Sequence, residues 1–250
     1  MSLREVWNEK KKDIPAVILF LVVSCMLVCA SAWAYYSFIT TPPYVDFERY
    51  PIRGIDVSRH NGMMNLDAAA EDGIEFIFIK ASEGEQLRDE NFHINYEKAG
   101  HAGLKRGAYH FFRFDKDGIS QGQNFMNAVG DRPLELGVVI DVEEYGNAKN
   151  VAHDSIMMRL ADMVEYLNLR GHRVMFYTNR TGYEDFLLNT YTGMPLWICH
   201  FSSTPFDADW TFWQFNHHAK VKGIPSEVDM NVFVGSRKDW EEYLSTFQPE

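Results

Sequence analysis

Beyond its first forty residues, the chain alternates short apolar runs with longer amphipathic stretches. The apolar runs are rich in β-branched and aromatic residues, which is typical of buried strands. The stretches between them carry apolar residues at helical spacing, and several end at a glycine. The predicted strands are 53–58, 74–81, 104–111, 136–144, 172–178, 195–199, 211–215 and 228–233. The predicted helices are 65–71, 91–102, 119–129, 152–169, 183–188 and 239–247.

This order of elements predicts an α/β fold. Strand and helix alternate five times, and three strands then follow with only loops between them. Such alternation favours a parallel sheet covered by helices. We therefore predict an irregular TIM-like (β/α)5(β)3 barrel, in which chemistry lies at the carboxyl ends of the strands.

The N-terminal segment follows a different pattern. No charged residue occurs between Ile14 and Ile39, a length sufficient to cross a bilayer as a helix. The basic residues before it predict that the N-terminus stays inside the cell and that the rest lies outside. We expect a transmembrane helix. The alternatives are a signal peptide cleaved after Ala32-Trp33-Ala34 and a lipoprotein signal at Cys25, and each of these also exports the domain.

The predicted organisation has four parts. They are a basic cytoplasmic segment (1–13), a transmembrane anchor or signal segment (14–39), a linker (40–50) and the barrel domain (51–250).

The fourth predicted strand ends in three carboxylates, Asp141, Glu143 and Glu144. Because side chains alternate along a strand, Asp141 and Glu143 should point to one side and Glu144 to the other. Two carboxylates at the end of a buried strand cost free energy unless something compensates or uses them. They are therefore candidates for acid–base chemistry. The structural alternative is an Asp that caps the next helix beside a solvated Glu.

Polar and aromatic residues also occur at the ends of the other predicted strands. Each has a structural explanation on its own, and we expect His110 to be a hydrogen-bonded core residue and Lys80 and Glu83 to form an ion pair. On one barrel rim, however, they predict an acidic cleft lined by rings. These residues are Asp56, Ser58, His60, Lys80, Glu83, Tyr109, His110, Asp141, Glu143, Tyr177, Trp197, His200, Trp213, Gln214, Asp229 and Asn231.

Composition narrows the classes of function. The 250-residue chain has a net charge of −11, which argues against a nucleic-acid partner. Cys25 and Cys29 lie in the apolar segment and only Cys199 lies in the barrel domain, so an intradomain disulfide and a cysteine metal site are both excluded. The apolar neighbours of Cys199 predict a buried core thiol.

A cleft of carboxylates and aromatic rings suits carbohydrate chemistry. Glycoside hydrolysis needs a protonated acid at the leaving oxygen and a group that stabilises positive charge at the anomeric carbon. Crowded carboxylates can keep one of their number protonated near neutral pH. A metal-dependent hydrolase is the rival, but His217 and His218 are adjacent and no His-Glu-x-x-His pattern occurs. We expect neither a metal nor another cofactor.

Eight short motifs occur in one order along the domain. They are residues 54–62 (GIDVSRHNG), 78–84 (FIKASEG), 107–111 (GAYHF), 141–143 (DVE), 177–179 (YTN), 196–198 (LWI), 213–215 (WQF) and 228–231 (VDMN). Their order and spacing resemble those of the family 25 glycoside hydrolases, the muramidases or lysozymes. The resemblance covers about residues 53–234.

The resemblance implies a peptidoglycan hydrolase that cleaves the β-1,4 bond between N-acetylmuramic acid and N-acetylglucosamine. Glu143 would be the general acid/base, and Asp141 would stabilise the N-acetyl group or the positive charge, with retention of configuration by substrate assistance. Asp56 and Asp229 would shape the −1 sugar site. The implied sugar contacts are Tyr109, Tyr177, Trp197, Trp213 and Gln214. The alternative is a non-catalytic glycan-binding module anchored at the surface.

The resemblance also implies where the protein works and with what. Its partners would be peptidoglycan glycan strands and, through the N-terminal helix, the membrane. We expect a bacterial, monomeric enzyme with one membrane pass and its catalytic domain outside the cytoplasm.

Overall fold

A computed structural model of the protein describes residues 3–40, 42–205 and 208–246. Met1 and Ser2 of the predicted basic segment, Thr41 of the linker and Phe247 of the predicted last helix lie outside the described residues. The chain forms two units, Met1–Pro42 and Pro43–Glu250.

The first unit contains one long helix, α1 (Leu3–Thr40). Within it, the 22 residues Pro15–Tyr36 have a mean hydropathy of 2.5, and none of them is buried. At about 1.5 Å per residue this stretch is roughly 33 Å long, and a bilayer core is about 30 Å thick. The helix therefore has the length and composition of a membrane span, which signal sequences also have.

The second unit contains nine strands and six helices among its described residues. The strands are β1 (Arg53–Val57), β2 (Ile74–Glu83), β3 (Leu87–Arg88), β4 (Lys105–Phe111), β5 (Val138–Asp141), β6 (Val174–Asn179), β7 (Leu196–Cys199), β8 (Phe212–Ala219) and β9 (Val228–Phe233). The helices are α2 (Leu66–Glu71), α3 (Phe92–His101), α4 (Gly118–Val129), α5 (His153–Asn168), α6 (Arg180–Gly182) and α7 (Arg237–Ser245). A 3₁₀ turn (Arg59–Asn61) follows β1, and a π-helical turn (Tyr183–Leu187) follows α6.

Eight of these strands close into a barrel, which confirms the predicted fold class. β1, β2, β4, β5, β6, β7 and β8 run parallel to one another, and β9 closes the circle between β8 and β1. The parallel order ends at β9, which is antiparallel to both neighbours. β3 is a short hairpin partner of β2 outside the barrel. The reversal of β9 places its first residues on the rim where the parallel strands end.

Strand alternation divides the core into two layers. Phe76 and Phe78 of β2 belong to an aromatic cluster inside the barrel, whereas Ile77 and Ile79 pack in the layer between the sheet and the helices. Gly54 permits the close approach inside, since a Cβ there would collide with the Phe76 ring. The aromatic filling supports the floor of the rim described below.

The barrel domain begins earlier than the sequence predicts. Val45 and Tyr50, which fall in the predicted linker 40–50, are 7% and 5% exposed and belong to the outer core layer. The Tyr50 ring lies 5.6 Å from that of Trp210. The free linker is therefore shorter than predicted.

Candidate active site

A cleft of about 390 Å³ opens on the rim formed by the carboxyl ends of the parallel strands and the start of β9. Eight of the nine predicted site residues line it. They are Asp56, Tyr109, Asp141, Glu143, Tyr177, Trp197, Gln214 and Asp229. A larger concavity of about 710 Å³ lies elsewhere, beside Met64 and Lys98, but the carboxyl groups with strongly raised pKa meet in the cleft.

Asp56 is held by a chain of hydrogen bonds across the cleft floor. Its Oδ2 accepts from Gln214 Nε2 and from Asn231 Nδ2, each at 2.8 Å. The Tyr177 hydroxyl donates to Gln214 Oε1 at 2.8 Å, and Trp197 Nε1 donates to Asn231 Oδ1 at 2.7 Å. Burial raises the pKa of Asp56 to about 6, and the two amide donors oppose that rise. This network fixes the carboxyl orientation.

Asp141, the last residue of β5, is 5% exposed. Its Oδ1 has no hydrogen-bond partner within the described part of the chain. Burial, reinforced by the charge of Glu143, raises the pKa of Asp141 well above its usual value. Asp141 therefore takes up a proton more readily than an exposed aspartate and keeps an unpaired oxygen in the cleft.

Glu143 lies two residues beyond the end of β5, in a loop that is fixed by the Asn147 side chain. Asn147 Nδ2 donates to the carbonyl oxygens of Glu143 and Phe112, both at 2.9 Å. Burial raises the pKa of Glu143 to about 7, while the positive charge of Lys80 lowers it and the charge of Asp56 raises it. A carboxyl group with this pKa can both donate and accept a proton near neutrality.

Asp229 reaches the cleft because β9 is antiparallel. It pairs in register with Asp56 across β1 and β9. Burial, followed by the charges of Asp56 and Glu143, raises the pKa of Asp229 to about 8. The four carboxyl groups line one cleft, and the negative charge of one raises the pKa of another.

The raised pKa of Asp229 should make the stability of the folded state depend on pH. Between its usual value of 3.8 and about 8 the folded state binds more protons than the unfolded state, so stability falls as pH rises through that window. Asp229→Asn removes this penalty. We expect little change in Tm at about pH 4 and an increase at pH 9, where each 1 kcal/mol of relief raises Tm by about 2–4 °C. Thermal melts of the full chain at both pH values test this, and an equal Tm difference at the two pH values would contradict it.

Trp213 does not reach the cleft, so the prediction that it contacts sugar is not supported. Trp213 and Gln214 are neighbours on β8 and point to opposite faces of the sheet. The Trp213 ring is fully buried in the outer core layer, and its Nε1 donates to the His200 carbonyl oxygen at 2.7 Å. Trp197 does line the cleft but is 2% exposed, and its ring is stacked 4.3 Å from that of Phe78. It therefore forms part of the cleft floor and offers little surface to a sugar.

The predicted scaffold residues have the contacts expected of them. Lys80 Nζ lies 2.8 Å from Glu83 Oε2, which confirms the ion pair. His110 is fully buried, with Nδ1 2.8 Å from the Ser82 hydroxyl and Nε2 3.3 Å from Gln121 Oε1.

Four cleft residues are not among the nine predicted site residues: Tyr145, Cys199, Phe201 and His217. The expectation that Cys199 is a core thiol is wrong, because its partly exposed side chain lies on the cleft wall. Burial still raises its pKa to about 12. The Phe201 and His217 rings pack 4.3 Å apart on the same wall. Alternation from Trp197 would have placed Cys199 on the cleft side. Tyr145 and Phe201 lie in loops, and His217 follows a register shift in β8, so strand alternation does not place these three.

The arrangement suits proton transfer to a polar, ring-shaped substrate. Among the residues described, no group of three or more His, Cys, Asp or Glu side chains has the geometry of a metal site. The cleft instead offers raised-pKa carboxyls over an aromatic floor, which is a general acid–base site.

Comparison with known proteins gives consistent matches. The family model described as Glycosyl hydrolases family 25 matches residues 55–224. The chain is 32% identical over 184 residues to the autolytic lysozyme of Clostridium acetobutylicum, covering 73% of this chain and 56% of that protein. It is 32% identical over 202 residues to lysozyme M1 of Streptomyces globisporus, covering 74% of this chain and 68% of that protein.

The fold also matches a solved structure. A family 25 glycosyl hydrolase from Bacillus anthracis superimposes with a TM-score of 0.75 at 30% identity, covering 81% of this chain and 97% of that one.

Proposed function

Since this chain belongs to glycosyl hydrolases family 25, we propose that it is a lysozyme that cleaves peptidoglycan between N-acetylmuramic acid and N-acetylglucosamine. One observation carries this function: Asp56, Asp141, Glu143 and Asp229 converge in one cleft with raised pKa values. Those residues provide a protonated acid and a neighbouring group for the positive charge that develops on the sugar. The retained carboxyl set disfavours a glycan-binding module without activity.

Glu143 is the proposed general acid/base. With a pKa of about 7, a substantial fraction is protonated at neutral pH. Its proton passes to the glycosidic oxygen as the bond to the anomeric carbon breaks, so the leaving sugar departs as a neutral alcohol. The Glu143 carboxylate then takes a proton from the water that attacks the anomeric carbon.

Asp141 is the proposed partner for the substrate's N-acetyl group. Its unpartnered Oδ1 provides an acceptor for the amide N–H. That bond would orient the acetamido carbonyl oxygen toward the anomeric carbon and stabilise the cyclic cation that forms when the oxygen attacks. Water then opens this intermediate from the opposite face, so the product retains its β configuration.

The remaining cleft residues support this chemistry. The charge of Asp56 raises the pKa of Glu143. Asp229 interacts with the same group, because the charge of Glu143 raises the pKa of Asp229. The Tyr109 and Tyr177 side chains and the Gln214 amide line the cleft where the −1 sugar would lie. We propose that they contact sugar hydroxyls.

The pKa of Glu143 makes a prediction for activity. Because the acid must be protonated in the free enzyme, kcat/KM should fall as pH rises through about 7. Lys80→Met should move this alkaline limb to higher pH, since the Lys80 charge lowers the pKa of Glu143. Initial rates on soluble glycan oligomers across pH 5–10 test both points, with the exposed Lys238→Met as matched control. A flat profile up to pH 9, or the same limb in Lys80→Met, would contradict the assignment.

Helix α1 is the proposed membrane anchor. Its apolar part, Pro15–Tyr36, is long enough to cross a bilayer core. An uncleaved anchor would therefore tether a monomeric enzyme to the membrane. Cleavage of the segment would release the domain instead.

The proposed function is tested by incubating the full chain, in mild detergent, with purified peptidoglycan. We expect soluble fragments and new reducing ends to appear together. Binding to peptidoglycan without new reducing ends would instead identify a glycan-binding protein.

A further inference from the structure

A second concavity, of about 480 Å³, lies beside the catalytic loop. We call it the side concavity. Phe114, Val151, Ile156 and Phe186 form its apolar part, and Phe114 and Phe186 are only 3% and 4% exposed. Its volume lies in the range of about 300–1,000 Å³ typical of small-ligand sites.

The side concavity and the cleft share one segment of chain. Glu143 and Tyr145 line the cleft, and Glu144 between them lines the side concavity. Consecutive Cα atoms are about 3.8 Å apart. The two sites therefore adjoin on opposite sides of one loop.

One wall of the side concavity is already fixed. The His153 ring stacks on Phe186 at 5.6 Å with an interplanar angle of 12°, and its Nε2 lies 2.9 Å from the Asp185 carbonyl oxygen. Phe186 also packs edge-on against Phe114 at 5.2 Å. A ligand would therefore meet a formed surface rather than a mobile one.

Charges of both signs surround this apolar surface. Glu144, Lys149 and Asp185 are exposed and line the side concavity. Within the described ranges, no ion pair or side-chain hydrogen bond joins any of these charged groups to another residue. A neutral N-acetylated glycan has no charge to complement them, whereas a short peptide carrying both carboxylates and an amine does.

We propose that the side concavity binds the peptide stem of the glycan strand that is cut in the cleft. This rests on the proposed function, because peptidoglycan is the glycan whose muramic acid carries such a stem through its lactyl group. Lys149 would pair with a stem carboxylate, and Glu144 and Asp185 with the amine of the diamino acid.

The stem is longer than the step from Glu143 to Glu144, whose Cα atoms are about 3.8 Å apart. Three extended residues span about 10 Å, and the lactyl group adds to this. A stem on a sugar beside Glu143 can therefore cross the loop to the Glu144 side. Lys149 becomes a specificity-determining residue that selects strands still bearing peptides.

The test uses two substrates that differ only in the stem. One is soluble glycan strands with their peptides, and the other is the same strands after an amidase has removed the peptides. In full-length enzyme, Lys149→Glu should lower kcat/KM about three- to fivefold on the peptide-bearing strands, as expected for one exposed charge pair, and leave the stripped strands unchanged. Lys238→Glu on α7 makes the same change of net charge away from both sites and should alter neither rate.

Binding of a free stem peptide can be measured without catalysis. Titration of the full chain with a free stem tetrapeptide that contains a diamino acid should show saturable binding that Lys149→Glu weakens. Equal effects of Lys149→Glu on both substrates, or tetrapeptide binding unchanged by it, would overturn the site. Failure of the proposed function would give a different result, because the wild type would then cleave neither kind of strand. The tetrapeptide titration would still show whether the side concavity binds a stem peptide.

Discussion

Glu143→Gln is expected to lower peptidoglycan hydrolysis by at least about 10²-fold, within the range that a positioned general acid contributes. The amide keeps the size of the side chain but has no proton to give to the glycosidic oxygen. Two neighbouring carboxyls are poorly placed to replace it, because Asp141 is buried at the end of β5 and Asp56 is bound to two amides. The loss should fall on kcat, since the amide can still contact bound sugar. Release of reducing ends at pH 6 is the measurement.

Two comparisons make this result specific. Glu241→Gln, an exposed change on α7, should retain wild-type activity. The Tm of Glu143→Gln should be at or above the wild-type value, because burial raises the pKa of Glu143 and the amide removes that cost. Retention of more than about 1% of activity in a folded Glu143→Gln protein would mean that another group supplies the proton.

Asp141→Asn is the second large effect, with an expected loss of about 10²-fold, comparable to removal of one preorganised electrostatic partner. The buried carboxyl has an oxygen without a partner, which is costly for folding and is best explained by a substrate group that completes it. The asparagine cannot become an anion and so cannot offset positive charge on the N-acetyl group. We expect binding of the product sugar to change little while kcat falls.

The thermal stability of Asp141→Asn should change in the opposite direction to its activity. Burial and the Glu143 charge raise the pKa of Asp141, so the wild-type carboxyl destabilises the folded state at pH values above its unfolded pKa. Asp141→Asn should therefore melt at an equal or higher temperature at pH 8. A variant that is both less stable and inactive would indicate a structural role and would contradict the proposed one.

Much of the architecture follows from residue patterns. Five strand–helix units and three further strands are evident from apolar periodicity, and Asp141 and Glu143 mark the rim because they follow the fourth apolar run. Glu143 lies beyond the end of β5, so strand alternation does not fix its direction. The direction of β9 was not predictable in this way, because β8 and β9 are joined by a loop without a helix, and either direction fits the same apolar pattern. That reversal is what brings Asp229 beside Asp56.

The errors in the site have physical causes. Assigning both Trp213 and Gln214 to the cleft ignored alternation, which allows only one of two neighbours to face inward. The loop positions of Tyr145 and Phe201 depend on tertiary contacts that no local periodicity encodes. Val45 and Tyr50 were read as linker because the packing surface that covers them comes from distant parts of the chain.

We propose that this glycoside hydrolase cuts after muramic acid, using Glu143. Mass spectrometry of the fragments that the full chain releases from purified peptidoglycan identifies the bond that is cut. We expect fragments whose reducing end is N-acetylmuramic acid, produced by the wild type and not by Glu143→Gln. Fragments that end in reducing N-acetylglucosamine, or the same fragments from both proteins, would contradict it.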